Sequence, residues 1–124
     1  RKVHEASEKN DTVEIWGTGE ARREFMYAED LIDFIIWSLE NYDGLPNLIN
    51  VGLGQDYTIK EYYQSIAEVI GFKGDFIHDI TKPEGMKRKL CSIKKQSQLG
   101  WKPKHSLKEG LEKTYQYFIK HHAI

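Results

Sequence analysis

Three features of this 124-residue chain predict a mixed α/β fold. Short β-branched or alternating runs read as strands, longer stretches carry apolar residues at helical spacing, and the two kinds alternate along the chain. The length suits one domain, and 40% hydrophobic with 12% aromatic residues is enough material for a core. A disordered tail, a collagen-like repeat and a disulfide knot are excluded on the same grounds.

The chain opens at Arg1 on what reads as the charged end of a helix already under way, which suggests a piece of something longer. Residues 12–16 (Thr-Val-Glu-Ile-Trp) alternate polar and apolar and predict a strand. Gly17-Thr18-Gly19 makes a turn, and extended structure resumes over 23–27. Asp30 opens a helix running to Asn41, with Leu31, Phe34, Ile35 and Leu39 on one face. Ile32, Ile36 and Trp37 widen that face, so burial on more than one side is expected. Tyr42-Asp43-Gly44 and Pro46 stop it. Residues 48–51 read as a short strand ending at Gly52. Thr58 and Glu61 form a capping box for a helix carrying Ile59, Tyr62, Tyr63, Ile66, Ala67 and Ile70, which Gly71 ends. Residues 75–80 predict another strand, and 81–90 a charged loop of the kind more often functional than accidental. Ser92 is expected to cap a short helix closing at Gly100. Ser106 and Glu109 form a second capping box, opening a last helix with Leu107, Leu111, Tyr115, Phe118 and Ile119 inward.

Charge narrows the function classes. The formal net charge is −1, but residues 1–60 carry 6 basic against 12 acidic side chains, whereas 61–124 carry 12 against 7. No basic face with stacking aromatics is evident, which argues against a nucleic-acid partner. The most apolar run, 31–39, is short and broken by Asp33, so no membrane span is expected, nor does an apolar leader follow Arg1. The lone Cys91 cannot pair within the chain, indicates a reducing, cytoplasmic setting, and reads as an inert buried thiol. His4, His78 and His105 are scattered, and the adjacent His121 and His122 lack a carboxylate at ligand spacing, so no metal is expected.

Two glycine turns invite a nucleotide reading, and neither is a dinucleotide fingerprint. Gly17-Thr18-Gly19 is followed by Arg22 and Arg23 rather than a small residue and a helix. Gly52-Leu53-Gly54 has Tyr57 where close packing needs a small side chain. The cations are more informative. Arg22-Arg23 at a strand end and Lys87-Arg88-Lys89 on the loop are two separated positive positions that would suit a diphosphate, or else are simply solvated. No Gly-x-Ser-x-Gly elbow is present, and no convincing acid, base or nucleophile stands out.

Ordered runs along the whole chain carry a resemblance. Val13-Glu14-Ile15-Trp16-Gly17-Thr18-Gly19, Arg23-Glu24-Phe25 with Asp30-Leu31, and Ile49-Asn50-Val51-Gly52-Leu53-Gly54 are similar to the carboxy-terminal half of extended short-chain dehydrogenase/reductases. Lys82-Pro83-Glu84-Gly85, Arg88-Lys89-Leu90 and Leu99-Gly100-Trp101 sharpen it toward the epimerase/reductases that form GDP-L-fucose. The resemblance implies an α/β substrate-binding portion, residues 1–124, of a longer Rossmann-type enzyme, with the 30–41 helix and the Asn50 strand completing the cofactor layer. That parent epimerises C3 and C5 of GDP-4-keto-6-deoxy-D-mannose and reduces the C4 ketone with NADP(H). The family's cofactor fingerprint and catalytic groups are expected upstream of Arg1, so this piece should bind no cofactor and be inactive alone, with apolar surface exposed where the other half packs. Five positions correspond to GDP-sugar contacts: Arg1, Trp16, Arg23, Glu84 and Lys89, with Arg88 as a neighbour. Partners implied are the GDP-sugar and the amino-terminal half of a homodimeric parent. The alternatives are an inactive sugar-nucleotide-binding or interaction module, or a piece of another nucleotide-sugar epimerase/dehydratase.

Overall fold

A computed structural model describes residues 1–121; His122 lies outside the described residues. Five helices, one 3-10 turn and five short strands are described, in the order α1 (Lys2–Lys9), β1 (Val13–Trp16), β2 (Arg22–Arg23), α2 (Ala28–Glu40), the turn Tyr42–Gly44, β3 (Tyr57–Thr58), α3 (Ile59–Ile70), β4 (Phe76–Asp79), β5 (Arg88–Lys89), α4 (Lys94–Leu99) and α5 (Leu107–His121). β1 pairs with β4 in parallel, Val13 opposite Phe76 and Trp16 opposite Asp79. A second sheet has the order β3-β2-β5, with β2 antiparallel to β3 and parallel to β5.

The alternation in 13–16 does what its period requires: Val13 and Ile15 are buried while Glu14 and Trp16 face out. Val13 joins Val3 and Ala6 of α1 in a cluster, against which Tyr63, Ile66, Ile70, Phe72 and Phe76 pack. The capping box of α3 forms as expected: Glu61 N–H donates to Thr58 Oγ1 at 3.0 Å, and Thr58 N–H to Glu61 Oε2 at 2.7 Å. Gly71 ends α3 at φ 77°, the left-handed conformation that favours glycine. The second box also forms, Ser106 N–H donating to Glu109 Oε2 at 2.8 Å.

Several expectations change. Residues 48–51 form no strand among the described residues; at either end of the run, backbone groups of Leu48 and Gly52 find side chains instead of a ladder. Gln96, buried, accepts from Gly52 N–H and donates to Gly52 C=O, both at 2.9 Å, and Lys95 donates to Leu48 C=O. Extended pairing after the glycine turn covers only Arg22 and Arg23, since Ala28 already starts α2. That helix begins two residues before Asp30, whose carboxylate is turned away into the fold. Ile93, not Ser92, caps α4, without a side-chain hydrogen bond. Ile119 is exposed, on the outer side of α5. Cys91 is exposed too, on a surface segment tied by its N–H to Glu24 Oε2 at 3.0 Å. The loop over 81–90 is not wholly irregular: Arg88 and Lys89 near its end are β5. Trp101 is core, edge-on to Phe34 with its indole N–H on Asp33.

α2 buries Phe34 and Asp30 but leaves Leu31, Ile32, Ile35, Ile36 and Leu39 exposed, by up to 71% at Leu39. The two-sided burial expected of this helix is absent within the described residues, whereas the exposed apolar face is present.

Candidate substrate-binding site

The site is built from two neighbouring parts. The first is a cavity of about 520 Å³ lined by Arg1, Trp16 and Glu84 at its polar edge and by Ile15, Tyr62 and Tyr63 among its apolar walls. Trp16, the last residue of β1, points outward with its indole N–H on Glu14 at 2.9 Å and the Lys82 ammonium 5.7 Å from its ring centre. Glu84 leans over the Gly17-Thr18-Gly19 turn and accepts from the Thr18 N–H. Thr18, through its side chain and its amide, holds the Glu84 carboxyl below its usual range, with Lys87 adding to this. A Cβ on Gly17 would meet Glu84 Cγ at 2.2 Å, and φ there is +72°, so only glycine fits beneath this carboxylate. Arg1 pairs with Glu5 through Nε–Oε1 at 2.7 Å and is mostly exposed.

The second part is the β3-β2-β5 sheet. In its register Arg22 lies opposite Arg88, and Arg23 opposite Lys89. Side chains alternate faces along a strand, so the cations divide into two pairs. Arg22 and Arg88 share a face with Asp56, just before β3. This carboxylate is 7% exposed and accepts from Arg22 Nε at 2.9 Å and Arg88 Nε at 2.5 Å. Arg88 and then Arg22 hold the Asp56 carboxyl below its usual range, against the opposing effect of burial. Arg23 and Lys89 occupy the other face, in line with Tyr57. Arg23 donates to the Arg22 C=O at 2.7 Å, and among the described residues no carboxylate pairs with it or with Lys89. The two parts meet along the loop, where a Cβ on Gly85 would stand 3.9 Å from Arg23 Nη2.

The geometry therefore gathers Arg1, Trp16 and Glu84 around one cavity, and Arg23 with Lys89 on the adjoining sheet. Sequence reasoning missed Asp56 and Tyr57, and the signal for Asp56 was weak: a lone acid flanking a strand of two residues. It also missed Glu24, which accepts from the N–H groups of Leu53 and Gly54 at 2.6 and 2.9 Å.

That last contact bears on cofactor binding. A dinucleotide pyrophosphate needs free backbone N–H groups in a glycine turn. Here the Leu53 and Gly54 amides donate to Glu24 and the Gly52 amide to Gln96, while Thr18 of the other turn donates to Glu84. Neither turn fits a dinucleotide phosphate.

Residues 1–52 match the model of the NAD dependent epimerase/dehydratase family. The chain shares the α/β fold of extended short-chain dehydrogenase/reductases, as a piece corresponding to the carboxy-terminal part of its relatives. It is 58% identical over 107 residues to GDP-L-colitose synthase of Yersinia pseudotuberculosis, covering 86% of this chain and 35% of that protein. It is 46% identical to GDP-L-fucose synthase of Azorhizobium caulinodans, covering 95% of this chain and 38% of the relative. Among solved structures, GDP-mannoheptose C4 reductase of Campylobacter jejuni with NADP bound superposes with a TM-score of 0.81 at 36% identity, over 95% of this chain and 42% of that one. The chain spans little more than a third of the length of these curated relatives.

Proposed function

We propose that this chain is the nucleotide-sugar-gripping portion of a GDP-4-keto-6-deoxyhexose epimerase/reductase whose product is GDP-L-fucose. The observation that carries the reading is the Arg23–Lys89 pair, two adjacent cations to which no carboxylate among the described residues is paired, beside a cavity edged by Arg1, Trp16 and Glu84. Arg23 offers a planar fork to one phosphate and Lys89 a point charge to the next. Trp16 gives a flat face for the hexose, Glu84 an acceptor for its hydroxyls, and Arg1 a further cation at the mouth. The GDP-sugar names of the relatives support guanosine as the nucleoside.

NADP(H) supplies the hydride in such a parent. Since neither glycine turn here fits it, its cradle and the proton-moving groups fall to the amino-terminal portion, the partner this reading requires within a cytoplasmic, homodimeric enzyme. The 124 residues alone bind and position the substrate without turning it over. A second product, GDP-L-colitose, is favoured by the 58% identity to the Yersinia protein. Product analysis of the whole enzyme distinguishes the two.

Titration calorimetry with GDP tests the binding role. Saturable binding, weakened about tenfold or more by Arg23→Ala, is the expected result. No binding of GDP, or binding of a DNA oligomer in its place, contradicts it.

A further inference from the structure

We propose that Asp56 is a positioning residue for the diphosphate site: by neutralising Arg22 and Arg88 on one face of the β3-β2-β5 sheet, it holds the ladder that sets Arg23 beside Lys89 on the other. The inference rests on the reading of Arg23 and Lys89 as phosphate contacts. Four cations stand on two strands of two residues each, in direct register. Like charges opposite one another on neighbouring strands push the strands apart. The ladder resisting them is short, and a bond at its edge runs from Arg22 N–H to Lys87 C=O at 2.8 Å. Asp56 answers the repulsion on its own face with both carboxylate oxygens, and its backbone C=O accepts a further bond from Arg22 Nη2 at 2.9 Å. On the opposite face no carboxylate among the described residues answers it, which leaves that pair available to an anion.

Simple electrostatics and this account predict opposite signs. An aspartate near a phosphate site repels the ligand, so its charge alone would make Asp56→Asn bind GDP more tightly. If the carboxylate instead holds the strands in register, Asp56→Asn weakens GDP binding, by about tenfold. Asp56→Glu, which keeps the charge, recovers most of the loss. In an Arg23→Ala background Asp56→Asn changes the affinity little, because it acts through Arg23, whereas a general loss of structure would add its full effect.

The experiment uses the 124-residue chain, with GDP titrations and amide hydrogen exchange side by side. The expected exchange result is faster exchange at the Arg22 amide in Asp56→Asn, with the amides of α3 still protected. Should Asp56→Asn fail to fold, Arg22→Gln opens the same clamp from a side chain that is not a phosphate contact, and the same faster exchange and weaker GDP binding are expected. Unchanged exchange at Arg22 in the folded variant, or GDP affinity equal to or tighter than the parent's, overturns the proposal. If the parent chain and Arg23→Ala bind GDP alike, the reading of the site fails instead, while the exchange result still decides whether Asp56 holds the strands.

Discussion

At the scale of single residues, two buried carboxylates, Asp30 and Asp56, tie separate parts of the chain together. Asp30, 1% exposed, accepts from the Lys104 and His105 amides at 3.1 Å and pairs with His105 Nδ1 at 2.8 Å, pinning α2 to the segment before α5. Burial pushes its pKa up, but the His105 side chain and the two amides outweigh that and leave it below the usual value. Asp56 is lowered too, by Arg88 first and Arg22 next, so both acids titrate lower in the folded chain than in the unfolded one. A depressed carboxyl contributes stability above its unfolded pKa and loses it as the pH falls through the folded value. The melting midpoint should therefore hold from neutrality down to about pH 5 and fall progressively below about pH 4. Thermal melts across that range check this. An Asp30→Asn, Asp56→Asn double variant that still folds should show a flatter acid limb.

Elements with a local signal were legible from the sequence, and those defined by long-range pairing were not. The capping box at Thr58 and the left-handed stop at Gly71 bound α3 from within a single stretch of chain. Thr58→Ala should accordingly destabilise by about 1 kcal/mol in urea denaturation, with no change in the cooperativity of unfolding. By contrast β5 is two residues paired with β2, sixty-six positions earlier in the sequence. No periodicity announces a strand that short, so the charged loop was legible and its pairing was not. The 48–51 run erred the other way: its composition suits a strand, yet Gln96 takes the Gly52 backbone groups that a ladder would use. For the site, Arg23 and Lys89 were legible as separate cations from motif likeness. Their adjacency, and the role of Asp56 beneath them, needed the register.

Across the whole molecule, the described fold combines a buried apolar cluster with one bare apolar face. Val3, Ala6, Val13 and Ile15 are nearly inaccessible, whereas Ile32 and Ile36 on α2 are each 54% exposed. Substituting an exposed side chain changes stability by only about 0.5 kcal/mol, so Ile36→Lys should leave the melting midpoint of this chain almost where it was. A large drop would mean that α2 is covered in solution. The proposed binding face lies elsewhere, on the β3-β2-β5 sheet and the adjoining cavity, so such a variant should retain its GDP affinity. The account stands most directly on one titration, that of GDP into the chain and into Arg23→Glu, followed by calorimetry at low salt. It predicts saturable binding to the first and none measurable to the second; equal binding to both would contradict it.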